Sequence, residues 1–272
     1  MALITITRKT GSGGHEIAER VAKRLSVELY DDKKLQDEAL KLGICRDDIK
    51  GMDEKAPGFF DQILSRKPEM YRELMEAVVY EVSRRGEGVI VGHGSQILLQ
   101  DFHCALHVFI HAADDLRIQR FMETGQLSRE AAEKLIRKND NEREGYFRYA
   151  FQLDMKDPAL YDLIINTGKI VPELAAGVIV DTVRSEQINE CGIDALRAME
   201  NLTLGKKIMA ALLKNHINTS MLYIEVGQEG VAVIRGHANS REQKKRLVSI
   251  VESVPGVTQV RADISGPYQD YS

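Results

Sequence analysis

The residues with the clearest chemical potential lie at positions 8–16, which read Arg-Lys-Thr-Gly-Ser-Gly-Gly-His-Glu. They follow the β-branched run 4–7 and precede an amphipathic stretch, 17–25, whose apolar residues recur at helical spacing. A strand, a glycine-rich turn and a helix N-terminus form an anion site, because glycines let the backbone approach a phosphate and the first N–H groups of the helix point at it. We therefore predict a phosphate site here, with a tight strand–helix turn as the alternative. Its backbone donors would come from Ser12, Gly13 and Gly14, and Gly11 is predicted to bind the cofactor with them.

The loop departs from the usual phosphate-binding motif, G-x-x-x-x-G-K-[ST]. Laid on Gly14, the motif has Lys9 at its first glycine, His15 at its lysine and Glu16 at its Ser/Thr. His15 could donate to a phosphate when protonated or be a solvated surface residue, and Lys9 could reach back across the loop as a point charge. Glu16 would either bind Mg²⁺, directly or through water, or stabilise the helix N-terminus. We predict Lys9, His15 and Glu16 as cofactor-binding residues, and Glu16 as the candidate metal ligand.

A second set of cations lies in two predicted helices, residues 113–123 and 129–149. Convergent arginines and lysines neutralise the charge that spreads over a phosphoryl group during its transfer. The alternative is an exposed helix surface laced with salt bridges, which the neighbouring acidic residues also allow. The predicted catalytic residues are Arg120, Lys138 and Arg143.

Short apolar strands alternate with longer helical stretches up to about residue 185. This alternation predicts an α/β fold, a parallel sheet covered by helices, with ligands beyond the carboxyl ends of the strands. Asp31 and His93 follow two of the strands, so we predict that they contact an acceptor substrate; a helix N-cap is the alternative for Asp31. The predicted strands are 3–7, 27–30, 88–92, 105–110 and 163–166, and the predicted helices are 15–24, 33–42, 69–84, 113–123, 129–149 and 171–185.

The rhythm changes in the last third of the chain. Residues 186–195 are polar and are predicted to be a linker. Residues 196–272 then predict a small α+β domain of αββαβ order, large enough to bury a core of its own. Its predicted helices are 204–214 and 241–254, and its predicted strands are 221–226, 230–236 and 257–264.

Composition limits the function classes. Among 272 residues, 37 Lys and Arg stand against 41 Asp and Glu, so the net charge of −4 gives no electrostatic case for nucleic-acid binding. The three cysteines are odd in number, widely spaced and without a C-x-x-C pair, which predicts neither a disulfide framework nor a zinc site and favours a reducing compartment. We find no predicted membrane span or export signal and expect a cytoplasmic protein.

Residues 1–185 resemble the cytidylate kinase-like family, relatives of the nucleoside monophosphate kinases with a P-loop NTPase-type fold. The resemblance rests on the order of several short segments, at residues 6–18, 30–32, 53–57, 89–94, 138–146 and 161–167. It implies ATP and Mg²⁺ as cofactors and a CMP-like acceptor bound near Asp31, His93 and the insertion that contains residues 53–57. Family members commonly carry Arg at the positions of His15 and His93.

Residues from about 196 to 266 resemble a BON domain, on the segments 230–236, 240–242 and 254–260. This resemblance implies a small interaction or sensing module and a protein partner, while a membrane role is not expected without an export signal. The predicted function is transfer of the ATP γ-phosphate to a (d)CMP-like acceptor. The alternative is a catalytically weak nucleotide-binding regulator whose BON-like domain engages a partner, and the oligomeric state is left open.

Overall fold

The computed structural model describes residues 2–42, 68–102, 104–125, 127–189 and 193–266. The chain divides into two compact units. The first comprises residues 1–72 and 85–192, and the second comprises residues 73–84 and 193–272. The segment 53–57, which the family resemblance implies for acceptor binding, lies outside the described residues.

A parallel sheet forms the centre of the first unit. Its strand order is β2-β3-β1-β4-β5, and every neighbouring pair is parallel. All residues of β1 and β3 are buried, as expected for strands that helices cover on both faces. The predicted parallel sheet is thereby confirmed. The strands are β1 (Leu3–Arg8), β2 (Leu29–Tyr30), β3 (Gly88–Val91), β4 (Ala105–His111) and β5 (Leu163–Asn166).

Six helices of the chain up to residue 189 lie within about two residues of predicted positions, whereas the short helix at Ser95–Leu98 was not predicted. Ser128 caps the longest of them, because its side chain accepts a hydrogen bond from the Ala131 N–H. The residues predicted as a linker include a short helix at 186–189. The helices are α1 (Gly14–Leu25), α2 (Asp32–Lys41), α3 (Pro68–Ser83), α4 (Ser95–Leu98), α5 (Asp114–Gly125), α6 (Arg129–Phe151), α7 (Pro172–Val183) and α8 (Glu186–Asn189).

The apolar face of α1 fixes the helix against the sheet. Ile17 and Val21 are fully buried in one cluster with Ile179 of α7 and with Ile6 and Val108 of the strands. Burial of such side chains contributes about 1.5–3 kcal/mol each. Packing therefore holds the first turn of α1 directly beyond the end of β1.

The second unit has the predicted αββαβ order. Strands β6 (Leu222–Val226) and β7 (Val231–His237) are antiparallel, and β7 pairs in parallel with β8 (Gln259–Ser265). Helix α9 (Ile193–Lys214) begins earlier than predicted, and α10 (Arg241–Glu252) follows β7. The core joins both helices to the sheet through Ile208, Leu212, Ile234, Leu247, Val251 and Ile264.

Residues 73–84, which include all of α3 from Glu73 onward, belong to this second unit and contact α9 through polar groups. Thr203 donates its hydroxyl to the Tyr80 carbonyl at 3.1 Å, and the Lys207 ammonium lies 2.7 Å from a Glu81 carboxylate oxygen. Lys206 forms a further ion pair with Glu76. A helix that the sequence places between two strands of the first sheet is thus part of the second unit.

Cys104 is disulfide-bonded. This observation bears on the expectation from composition that the cysteines form no disulfide framework; the other two cysteines, Cys45 and Cys191, lie outside the described residues. No helix within the described ranges is long and apolar enough to cross a membrane.

Candidate functional site

The loop between β1 and α1 has the backbone shape of an anion site. Gly11 and Gly13 adopt left-handed conformations, with φ of 78° and 81°, which glycine accepts without steric cost. Gly13 is the N-cap of α1, and without a side chain it cannot accept a hydrogen bond from the first-turn amides. These N–H groups, at residues 14–16, remain available to a ligand or to water.

The carbonyl oxygens of the loop are occupied by protein donors. Four successive carbonyls, at residues 9–12, accept hydrogen bonds from side chains or from within the loop. The donors are the Ser12 hydroxyl to Lys9 (2.7 Å), Arg117 to Thr10 (2.9 Å), Arg120 to Gly11 (3.4 Å) and the Thr167 hydroxyl to Ser12 (2.7 Å). Because protein donors bind these carbonyl oxygens, the amide N–H groups of the loop are the groups that face a bound anion.

Ser12 shapes the loop. It is fully buried, and its N–H donates to the Lys9 carbonyl at 3.1 Å while its hydroxyl bonds to the same carbonyl. The predicted amide donor at Ser12 is therefore already used within the turn. Gly13 and Gly14, the remaining predicted donors, lie at the cap and at the first helical residue.

Three buried charged side chains surround Thr10, and we call them the inner cluster: Arg117, Asp140 and Arg143. Asp140 accepts from the Thr10 N–H at 3.0 Å, Arg117 donates to the Thr10 carbonyl, and Arg143 donates to the Thr10 hydroxyl at 2.6 Å. Every polar atom of Thr10 is thus bonded by α5 or α6. The inner cluster therefore fixes both the backbone and the side chain of Thr10 within the loop.

Arg117 is the most enclosed member of the inner cluster, with 1% of its surface exposed. Its guanidinium donates to Asp140 at 2.7 Å and to Asp114 at 2.6 Å. Burial lowers the pKa of Arg117, but the hydrogen bonds and charges of the two carboxylates outweigh it and raise the pKa above its ordinary value. The hydrogen bond from Arg117 lowers the pKa of Asp114 in turn. The network therefore keeps the positive charge of Arg117 beside the loop.

Arg120, a predicted catalytic residue, lies next to the cap of the helix. Its guanidinium donates to the Thr167 carbonyl at 2.8 Å and to the Thr167 hydroxyl at 3.1 Å. A Cβ added to Gly13 would lie 3.9 Å from Arg120 Nη1, so this cation lies beside the N-cap of α1. The half-buried side chain can bind an anion there.

Lys138 is not brought to the loop. Its side chain is 48% exposed, and its ammonium lies 3.8 Å from Glu142. Ile136, Asp140 and Arg143 lie on the buried face of α6. Lys138 lies on a different face of the same helix. Of the predicted catalytic residues, the structure places Arg120 and Arg143 at the loop.

The side chains of His15 and Glu16 point along the outside of α1. His15 Nε2 lies 3.5 Å from a carboxylate oxygen of Glu19, and Glu16 accepts from Arg20 at 2.8 Å. The second contact matches the helix-stabilising role rather than the metal-binding role predicted for Glu16. Glu16, Arg20, Arg24 and Glu173 form a chain of exposed ion pairs that we call the outer cluster.

Lys9 is half-buried. Burial lowers the pKa of His111, and the positive charges of Lys9 and Arg117 lower it further. The Lys9 ammonium therefore lies within electrostatic range of the ends of β4 and the start of α5, beside the inner cluster.

A second polar group lies at the ends of β1, β2 and β3. His93 is fully buried with a left-handed φ of 58°, and its Nε2 is 2.8 Å from Asp32 Oδ1. Arg8 Nη2 lies 3.9 Å from the other oxygen of Asp32. Asp31, by contrast, caps α2 by accepting from the Lys34 N–H at 2.9 Å. The acidic partner at this edge is Asp32, the neighbour of the predicted residue.

The helix start also corrects the register of the phosphate-binding motif. The last left-handed glycine of the loop is Gly13 and α1 begins at Gly14, so the motif fits one residue earlier than the sequence suggested. Arg8 then stands at the position of the first glycine of the motif, Gly14 at the position of the lysine and His15 at the position of the Ser/Thr. With adjacent glycines at 13 and 14, the sequence alone could not choose between the two registers.

Sequence reasoning missed two polar residues of the site, Thr10 and Asp140, and it placed Asp32 beside Asp31 at a strand end but left Asp32 out of the predicted site residues. Asp140 carried one usable signal, because it lies three residues before Arg143 and so shares a helix face with it. Asp32 carried another as the first residue of a helix beyond a buried strand. Thr10 carried no such signal, because its role depends on α5 and α6 alone.

Comparisons with known proteins match two families along the chain. The sequence pattern of the cytidylate kinase-like family matches residues 3–169, and that of the BON domain matches residues 202–266. A protein named cytidylate kinase from Sulfolobus acidocaldarius is 23% identical over 189 residues, 68% of this chain and 96% of the relative. Another, from Pyrobaculum arsenaticum, is 24% identical over 183 residues, 66% of this chain and 92% of the relative.

A solved structure shares the fold. An uncharacterised protein from Eubacterium ventriosum matches with a TM-score of 0.53 and 22% sequence identity, over 68% of this chain and 99% of the other. The family match spans more than half of the chain and contains the β1–α1 loop, the inner cluster and the Asp32–His93 pair. The chain belongs to the cytidylate kinase-like family.

Proposed function

We propose that this protein is an ATP-dependent nucleoside monophosphate kinase with a (d)CMP-like acceptor. The β1–α1 loop carries the proposal, because its carbonyls are bound by protein donors and its amides at the N-terminus of α1 are left for an anion. The relatives named cytidylate kinase suggest the acceptor.

In the proposed reaction, an acceptor phosphate oxygen attacks the γ-phosphorus of ATP. The bond from this phosphorus to the β,γ-bridging oxygen breaks, its electron pair stays on ADP, and the acceptor becomes a nucleoside diphosphate. No covalent enzyme intermediate is required, so the protein contributes positioning and charge stabilisation.

The donor phosphates would lie on the amides at the start of α1, with Arg120 and Lys9 as flanking cations. Arg143 would act near the loop through its position beside Thr10. Lys138 stays a prediction, since it is exposed on another face of α6. The acceptor would lie at the edge formed by Asp32 and His93, where two parallel strands end.

The described residues do not offer the usual Mg²⁺ ligands of this motif. His15 stands at the Ser/Thr position, and Glu16 is engaged by Arg20. Within the described ranges, no group of three or more His, Cys, Asp or Glu side chains is placed to hold a metal ion. Mg²⁺ is therefore proposed only as the counter-ion of bound ATP, which suits an ion that binds through few carboxylates and substrate phosphates.

A second candidate function is a nucleotide-binding regulator with weak catalysis. It is favoured by the loss of the motif lysine and hydroxyl at Gly14 and His15. In this case the BON-like unit would engage a protein partner in response to nucleotide. A cytoplasmic location stays a prediction, which rests on the cysteine usage of the sequence; the Cys104 disulfide is an observation against a reducing compartment.

The test is phosphoryl transfer from ATP·Mg²⁺ to CMP, dCMP, UMP, AMP and GMP, with Arg143→Ala as the control. We expect turnover with CMP or dCMP above about 1 s⁻¹, the usual range of kinases, and its loss in the variant. Saturable ATP binding without transfer to any acceptor would favour the regulator.

A further inference from the structure

At positions 8 and 14 of the loop, the large and the small residue of the usual motif are interchanged. In the corrected register the motif expects glycine at position 8 and lysine at position 14, whereas this chain has Arg8 and Gly14. The pair still contains one glycine and one long cation.

Space explains the glycine at position 14. Gly14 lies in the helix without a left-handed φ, so its conformation does not require glycine. A Cβ at Gly14, however, would lie 2.5 Å from the Arg8 Cβ and 3.1 Å from its Cγ. A lysine at position 14 is therefore incompatible with an arginine at position 8, and the two changes accommodate each other.

The position of Arg8 suits a phosphate contact. Its side chain starts at the end of β1, passes the first residue of α1 and is only 5% exposed. Its Nη2 lies 3.9 Å from Asp32, which is bonded to His93 at the proposed acceptor edge. The guanidinium thus lies between the start of α1 and the acceptor edge. Its planar fork of N–H donors matches two phosphate oxygens.

We propose that Arg8 replaces the missing motif lysine and binds the γ-phosphate of the donor from the opposite end of the loop. This inference rests on the proposed function, since it requires a nucleoside triphosphate at the loop. The competing explanation is that Arg8 only neutralises Asp32. The two explanations predict different ATP affinities for a variant with glycine at position 8 and lysine at position 14.

The experiment measures ATP and AMP affinity by calorimetry, together with the thermal midpoint, for the wild type and a set of variants. Arg8→Gln should lower ATP affinity about tenfold or more and leave AMP affinity within about twofold, because only the γ-phosphate loses its charged contact. Arg8→Lys should bind ATP with intermediate affinity. Arg20→Gln, an exposed arginine of the outer cluster, should bind as the wild type does.

The reversal gives the sharper result. Gly14→Lys alone should lower the thermal midpoint, because its side chain meets Arg8. The double variant Arg8→Gly with Gly14→Lys should regain ATP affinity to within about threefold of the wild type, since it restores the usual motif.

Each outcome decides between the explanations. Wild-type ATP affinity in a folded Arg8→Gln variant would overturn the inference alone, and so would failure of a folded double variant to regain affinity. If the wild type binds neither ATP nor inorganic tripolyphosphate, the proposed function and the inference fail together. If the double variant does not fold, the comparison of Arg8→Gln with Arg8→Lys still decides.

Discussion

The inner and outer clusters flank the same loop and helix and contain the same kinds of side chain, yet they differ in burial. The side chains of Arg117 and Asp140 in the inner cluster are 2% and 10% exposed, whereas those of Arg20 and Glu173 in the outer cluster are 42% and 60% exposed. Removing one partner of a buried ion pair costs about 3–5 kcal/mol, and an exposed pair contributes about 0–1 kcal/mol. Burial, rather than residue type, therefore separates the charges that fix the loop from those that only cover the surface.

The strongest test of this comparison is Asp140→Asn. The change removes the charged acceptor of the Thr10 N–H and the buried partner of Arg117, so the free energy of unfolding should fall by about 3 kcal/mol. Urea unfolding measures it. Lys138→Gln, on the exposed face of the same helix, should cost below about 1 kcal/mol. Equal losses in the two variants would contradict the comparison.

Arg120→Gln tests whether the partly buried cation beside Gly13 contributes to transfer. We expect kcat to fall about 10²- to 10³-fold, as when a preorganised donor to a developing charge is lost. Steady-state kinetics with ATP and CMP measure it, with Arg20→Gln as the exposed control. A change in KM alone would restrict Arg120 to ground-state binding.

The pH dependence of stability extends the comparison to a buried histidine. Burial lowers the pKa of His107 below 6.5, although the charge of Asp162 opposes the shift. The unfolded chain then binds more protons than the folded one between the two pKa values, so the free energy of unfolding falls as the pH drops below about 6.5. The stabilisation is fully present above that pH.

His107→Gln should remove this contribution, since the amide can keep the contact with the Thr5 hydroxyl but does not titrate. Urea unfolding from about pH 7.5 down to about pH 5 measures the difference. The exposed His237→Gln variant is the control. Parallel pH profiles for the wild type and His107→Gln would show that the burial of His107 has no such effect.

The smallest effect is expected for Glu16→Gln in the outer cluster. Because its carboxylate is exposed and bound by Arg20, KM for Mg²⁺ should stay within about twofold of the wild type. Kinetics at varied Mg²⁺ concentration give the answer. A large rise in KM would restore Glu16 as a metal ligand.

The same difference explains what the sequence could predict. Strands such as β1 and β5 were predicted nearly to the residue, because short runs rich in apolar and β-branched residues are typical of buried strands. The phosphate loop was predicted because glycines before an amphipathic helix have a local signature. The sequence did not distinguish Arg120, which lies at the loop, from Lys138, which does not. The difference depends on which face of each helix packs against the rest of the unit.

Long-range contacts account for the rest. Asp140 bonds a residue 130 positions earlier in the chain, and no local pattern announces such a bond. Asp31 and Asp32 are adjacent in the sequence, and the exact start of α2 decides their roles. The Asp31 carboxylate caps the helix, whereas the Asp32 carboxylate is buried against His93. The register of the motif likewise needed the position of the Arg8 side chain.

The placement of α3 has a consequence for the order in which the protein is made. Residues 73–83 of this helix belong to the second unit, which resumes at Ile193, more than 100 positions later. At about 5–20 residues per second, α3 leaves the ribosome several seconds before Thr203, Lys206 and Lys207 are synthesised. The first unit can complete its sheet during that interval, but the second stays incomplete until α9 emerges. A nascent chain released early would therefore carry α3 without the helix that pairs with it.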